Sequence, residues 1–136
     1  MIALDSPVLI DLLVGDPRHA EAAEACIGDA LGRDDVVVCD AVIAEVQAVL
    51  ESSVGLMEPL ATLGIRHLAT SESAAMRAGY MLKRFRARGG GRERLVADFL
   101  IGAHAMLQCD ALITRDAVFF RDYFKGLRLI IPAGTG

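Results

Sequence analysis

The amino-acid sequence predicts an α/β protein built on a parallel sheet of about five strands. Short β-branched runs alternate with helix-patterned stretches along the whole length, as in repeated β-α-β units. The 136 residues suit one ordinary domain. Hydrophobic residues make up 54% of the chain without counting glycine, above the roughly 45–50% of an average domain even with glycine included. That excess fits strands and helices buried against a sheet and excludes intrinsic disorder.

Each element can be read in order. The first strand covers Ile2 to Asp5, and Ser6 followed by Pro7 reads as the N-cap and first residue of a helix through about Val14. Gly15-Asp16-Pro17 ends that helix, and a second runs from about His19 to Leu31, where Gly32 stops it. Val36 to Cys39 make a buried strand, and Asp40 reads as the cap of a third helix over about Ala41 to Ser53. A short helix covers Met57 to Leu63, and Ile65 to Leu68 form a third strand. Thr70 or Ser71, with Glu72 beyond, opens a long helix to about Arg88, broken by Gly89-Gly90-Gly91. A further helix spans about Glu93 to Leu107. Strand Ala111 to Thr114, an aromatic helical turn around Phe119 and Phe120, and strand Leu127 to Ile131 complete a single domain over residues 1–136, with a tail from about residue 133.

Several classes fall away on composition. Cys26, Cys39 and Cys109 are odd in number and scattered, unlike a disulfide framework or a zinc site, and fit a reducing compartment. No apolar run reaches membrane-spanning length, because Asp5, Asp11 and Asp16 interrupt the first stretch and Asp98 and His104 the richest internal one. The start MIALD lacks the basic flank of a secretory signal, so a cytoplasmic location is expected. The formal charge is −4, which as an average speaks against nucleic acid, although averages hide patches. The surplus of apolar residues hints at a buried self-association surface.

Carboxylates stand in unexpected places. In the third helix Val42, Val46, Val49 and Leu50 form an inward stripe, and Glu45 falls inside it. A buried carboxylate without a partner is strongly unfavourable, so Glu45 either meets a cation, metal or polar cleft, or reaches solvent at the stripe's edge. The helix after the triple glycine is apolar nearly all round, with Asp98 in its first turns, where the helix dipole favours an anion and a capping role is the alternative. Asp5 ends the first strand and Asp116 follows the fourth, so both project from the carboxyl edge of the sheet, where open α/β folds place ligands; turn and cap roles are their alternatives. Four carboxylates in one cleft would repel one another, which points to a divalent cation bound through oxygen. Magnesium, or manganese in its place, suits this set, since no His-Cys cluster favours zinc.

These segments carry a resemblance. IALDSPVLIDLL, CDAVIAEVQAVL, LVADFLIGAHA, LITRDAVFF and LRLIIP, in that order and spacing, resemble a PIN-domain ribonuclease of the VapC toxin type over nearly the whole chain. The resemblance implies a PIN-like three-layer α/β/α fold and an acidic set that falls here on Asp5, Glu45, Asp98 and Asp116. It also implies supporting hydroxyls, here Ser6 and Thr114. Pro7 departs from the pattern, standing where a small polar residue is common. The expected activity is magnesium-dependent endonucleolytic hydrolysis of RNA to 5′-phosphate and 3′-hydroxyl ends. Asp5 and Asp98 would be direct metal ligands, while Glu45 and Asp116 complete a second position or bind through water. The expected partners are an RNA substrate, a small antitoxin protein that blocks the cleft and a second copy of the chain in a homodimer, with no membrane.

Between Lys83 and Arg94 the chain reads KRFRARGGGRER, six basic residues and one Glu, for a local charge of +5 against −9 for the remainder. Lys83 and Arg84 read as a solvated helix face. Arg86, Arg88, Arg92 and Arg94 are candidate RNA contacts on a phosphate-tracking rim, with the glycines letting backbone approach the nucleic acid. His19, His67 and His104 share no motif. Two rivals stand beside the nuclease. A phospho-acceptor signalling module has this length and an acidic magnesium site but needs an acceptor Asp ending a middle strand, and no Asp lies between Asp40 and Asp98. A non-catalytic binding protein on the same scaffold is the stronger rival.

Overall fold

The structure, a computed structural model, describes residues 1–51 and 55–133. In chain order the elements are β1 (Ile2–Leu4), α1 (Ser6–Val14), α2 (Ala20–Leu31), β2 (Val36–Val38), α3 (Asp40–Val49) and α4 (Met57–Leu63). They continue as β3 (Arg66–His67), α5 (Glu72–Ala87), α6 (Val96–Gln108), β4 (Ala111–Ile113), α7 (Ala117–Tyr123) and β5 (Leu129–Ile130). The five strands form one sheet in the order β3-β2-β1-β4-β5, every neighbouring pair parallel, and the architecture is three-layer α/β/α.

The three central strands are buried at every residue, as expected of parallel strands covered on both faces. From β1 the chain steps outward through β2 to the edge strand β3, then returns through α5 and α6 to lay β4 on the other side of β1. Ile2 therefore pairs with both Val36 and Ala111. The order of strands reverses between β1 and β4, which opens a crevice at their carboxyl ends. Asp5 follows β1 directly, and Thr114 to Asp116 follow β4.

Caps and ends differ from the sequence expectation for identifiable reasons. Asp5, not Ser6, is the N-cap of α1: it keeps extended backbone on leaving β1, and its carboxylate accepts from the Ser6 N–H. Cys39 occupies the cap position of α3, and Asp40 joins the first turn, where the helix dipole favours it, with Oδ1 2.6 Å from His67 Nε2. α3 stops at Val49 because Leu50 turns extended, so Leu50 leaves the helical stripe; of the expected continuation to Ser53, residues 52–54 lie outside those described, as do tail residues 134–136. α6 begins at Val96 instead of Glu93, with Leu95 extended and its N–H held by Asp98.

α6 runs through the interior, buried from Phe99 to Ala105 apart from half-buried Leu100. Gly102 is obligatory there, since a Cβ would lie 2.3 Å from the Phe124 ring. Phe99 sits among Phe85, Phe119 and Tyr123, with ring centroids 5.6, 5.2 and 5.8 Å away. The glycine run has a structural explanation. Gly89 adopts the left-handed conformation (φ 87°) that ends α5, and the Phe85 ring occupies the space a Gly90 Cβ would need. His104 is a core residue whose Nε2 meets the Leu68 carbonyl at 2.9 Å, and burial pushes its pKa down.

One buried ion pair escaped sequence reading. Asp11 on α1 is 4% exposed and accepts from Arg115 Nε at 2.8 Å and Nη2 at 3.2 Å, tying the β4–α7 loop to α1. Removing Arg115 leaves a buried unpaired carboxylate. Arg115→Ala is expected to lower unfolding stability by about 3 kcal/mol in urea titrations, while Asp11→Leu combined with Arg115→Met recovers most of the loss. A loss under about 0.5 kcal/mol for the single variant would show that the pair does not hold the loop.

Candidate active site

Four separate segments deliver Asp5, Glu45, Asp98 and Asp116 to one cleft of about 450 Å³, which Ser6, Arg94 and Phe120 also line. The crevice at the ends of β1 and β4 thus contains all four acids expected from sequence. Asp5 is the deepest, 5% exposed. Its Oδ1 accepts from the Ser6 N–H at 2.9 Å and its Oδ2 from the Thr114 hydroxyl at 2.7 Å. Thr114 is fully buried, and its oxygen also accepts from the Asp116 N–H at 3.0 Å, so one hydroxyl orients Asp5 and the start of the Asp116 turn together. The Ser6 hydroxyl donates to Glu45 Oε1 at 2.6 Å. Both expected supporting hydroxyls therefore bond a carboxylate of the set. Asp98 Oδ2 accepts from the Leu95 N–H at 2.9 Å, so Asp98 caps its helix and lines the cleft at once.

Arg94 is where the structure departs most from expectation. Instead of lying only on an outer rim, it enters the acidic cleft, where Nη1 makes a short contact with Asp116 Oδ2 and lies 4.0 Å from Asp98 Oδ1. Its guanidinium stacks 4.1 Å from the Phe119 ring centroid. Burial alone would lower its pKa, but Asp116, Asp98 and Asp5 more than offset that and hold the cation above its ordinary value. The i to i+4 spacing of Arg94 and Asp98 was a sequence signal for this pairing, obscured because Arg94 precedes the helix. The remaining candidate contacts divide. Arg86 and Arg92 share with Arg94 a hollow floored by Gly90 and Gly91 that adjoins the cleft, whereas Arg88 lies in a different hollow beside Tyr123.

The donor set suits a hard divalent cation in chemistry: all four acids present oxygen, the ligand magnesium and manganese prefer. Among the described residues, no three His, Cys, Asp or Glu side chains are already grouped as a metal would hold them. Magnesium commonly takes only one or two carboxylates and keeps several waters, so a site held mainly by Asp5 and Asp98 needs no such triplet.

Burial pushes the Asp5 carboxyl up to about 6, over the opposing hydrogen bonds from Thr114 and Ser6, with Asp98 and Glu45 adding to the rise. An unfolded Asp titrates near 3.8. The folded value is the higher one, so the Asp5 charge destabilises the metal-free fold above pH 6, and that loss disappears as pH falls through 6 toward 3.8. Asp5→Asn is expected to stabilise metal-free protein by on the order of 2–3 kcal/mol at pH 8, at about 1.4 kcal/mol per pKa unit. Urea unfolding in chelator should show the gap closing between pH 6 and 4. A gap that stays constant with pH, or a less stable variant at pH 8, contradicts this reading of Asp5.

Solved structures similar to this fold include VapBC2 from Rickettsia felis bound to a DNA fragment from their promoter, at 18% identity and TM-score 0.70 over 96% of this chain and 98% of that one. A toxin-antitoxin complex from Klebsiella pneumoniae is similar at 19% identity and TM-score 0.68, over 97% and 98%. FitAcB from Neisseria gonorrhoeae is similar at 24% identity and TM-score 0.66, over 97% and 98%. The comparison with curated proteins finds no match. The PIN domain model matches residues 2–125, a span that holds all four carboxylates, and the chain belongs to the PIN domain family.

Proposed function

We propose that the chain is a magnesium-dependent endoribonuclease and the toxin of a toxin-antitoxin pair. The observation that most supports this reading is the meeting of Asp5, Glu45, Asp98 and Asp116 in one cleft at the switch point of a parallel sheet. Membership of a family whose domains are generally nucleases supports it further. Asp5 and Asp98 would hold magnesium directly, with Glu45 and Asp116 at a second position or acting through water. Bound there, the ion supplies a water of lowered pKa and positive charge at the leaving oxygen.

The chain's own groups do the rest. Thr114 and the Ser6 N–H fix the Asp5 carboxylate, so it needs no reorientation. Glu45, anchored through Oε1 by the Ser6 hydroxyl, takes the proton of the attacking water. Arg94, stacked on Phe119, exchanges its carboxylate partner for a phosphate oxygen of the substrate. Arg86 and Arg92 continue the phosphate contact along the adjoining hollow. Hydrolysis leaves a 5′-phosphate and a 3′-hydroxyl.

The similar Klebsiella pneumoniae structure is a toxin-antitoxin complex, which supports a small antitoxin that covers the cleft. No helix among the described residues is long and apolar enough to cross a membrane, and the proposed setting is the cytoplasm. The surplus of apolar residues in the chain supports a homodimer.

Purified protein incubated with a mixed cellular RNA pool should produce fragments with magnesium and none with chelator. Asp98→Asn should slow cutting at least about 100-fold. Cutting that survives chelator or the substitution removes the metal assignment. No cutting of any RNA favours a non-catalytic binding protein on the same scaffold.

A further inference from the structure

Outside the cleft, α5 carries a second basic face. Arg77, Met81, Arg84 and Arg88 recur at intervals of four, three and four residues, so they form one stripe of the helix. With Met106, Asp122, Tyr123 and Lys125 they line a concave hollow of about 210 Å³. Four cations face one carboxylate there. Four arginines elsewhere are matched internally: Arg33 pairs with Asp29, Arg66 with Asp35, Arg94 with Asp116 and Arg115 with Asp11. Among the described residues, none of Arg77, Arg84, Arg88 and Lys125 makes an ion pair. In a chain with eighteen acidic and fourteen basic side chains, acids to neutralise this group are plentiful, yet the fold leaves like charges together around a hollow. Such a grouping raises the positive potential in the hollow and favours an anion that enters it.

The hollow is also joined to the cleft. Tyr123 and Phe119 lie one turn apart on α7 with ring centroids 5.5 Å apart. The Arg88 guanidinium lies 5.9 Å from the Tyr123 centroid, and that of Arg94 lies 4.1 Å from Phe119 while pairing with Asp116. A row of guanidinium and aromatic groups thus leads from the acidic cleft to the second basic hollow. The row offers cations to successive phosphates, while Phe119 is 5% exposed and half-buried Tyr123 packs on Phe85 and Phe99, so the rings support the guanidinium groups.

We propose that the Arg77, Arg84, Arg88 and Lys125 hollow is a second nucleic-acid site, which grips the phosphate backbone of single-stranded RNA a few nucleotides from the bond being cut. It rests on the endoribonuclease reading. It makes the enzyme prefer long single strands and assigns Arg84 a ligand in place of solvent alone. Arg77, Arg84 and Lys125 are exposed, so replacing them leaves the core intact.

The test compares wild type with the triple variant Arg77→Ala, Arg84→Ala, Lys125→Ala, and with the charge-keeping Arg77→Lys, Arg84→Lys. Fluorescence anisotropy with labelled single-stranded RNA in chelator measures binding to a dodecanucleotide and to a tetranucleotide. Magnesium-dependent cleavage of the tetranucleotide is followed separately. The triple variant should bind the dodecanucleotide at least about tenfold more weakly, with a log–log salt slope smaller by about 2, since each lost phosphate contact on a single strand contributes roughly 0.7. Its binding and cutting of the tetranucleotide should match wild type, and the charge-keeping variant should retain dodecanucleotide affinity. Unchanged dodecanucleotide affinity and slope overturn the second site alone, as does equal weakening for both lengths. A wild type that neither binds nor cuts any RNA overturns the nuclease reading along with it.

Discussion

The rest of the site depends on one buried carboxylate. Asp5 stands where β1 and β4 part, and its two oxygens fasten three elements: the Ser6 N–H ties it to α1, and the Thr114 hydroxyl ties it to the end of β4 and, through the Asp116 N–H, to the entry of α7. Burial raises its pKa toward 6, so near neutral pH the fold keeps an anion in a place that favours the acid. Stability alone would choose an amide at this position. A rigidly held carboxylate at the floor of an oxygen-lined cleft suits a divalent cation, and under the proposed function its presence exchanges stability for activity.

Two arginines divide the remaining electrostatic work. Arg115, bound to buried Asp11, is structural and locks the loop that carries Asp116. Arg94 lines the cleft, supported by the Phe119 ring and facing Asp116 and Asp98. It lets the acids sit together in the free protein and places a cation where a substrate phosphate would arrive. The charge of −4 therefore describes neither face of the molecule: acids gather at the sheet edge while unpaired cations gather on α5 and the turn after it.

Sequence pattern conveyed the elements well and their ends poorly. Runs such as Val36–Val38 and Ala111–Ile113 are readable because central parallel strands must be apolar on both faces. Caps depend on single hydrogen bonds, which is why Asp5 took the place expected of Ser6 and Asp98 delayed the start of α6. The acids were legible because each broke a rule at its own position: Glu45 within an apolar stripe, Asp98 on a buried helix, and Asp5 and Asp116 just past strands. The place of Arg94 was not legible, since it depends on the turn before α6 and on a ring 25 residues away. Asp11 read only as an interruption of an apolar run because its partner, Arg115, is distant in sequence.

The most direct measurement of the central claim is manganese binding, followed by the paramagnetic resonance of the free ion, in wild type, Asp5→Asn and Asp98→Asn. The account predicts saturable binding to wild type, competed by magnesium and weakened at least about tenfold in each variant. Equal binding by all three proteins, or none by wild type, would contradict a metal centre built on these carboxylates.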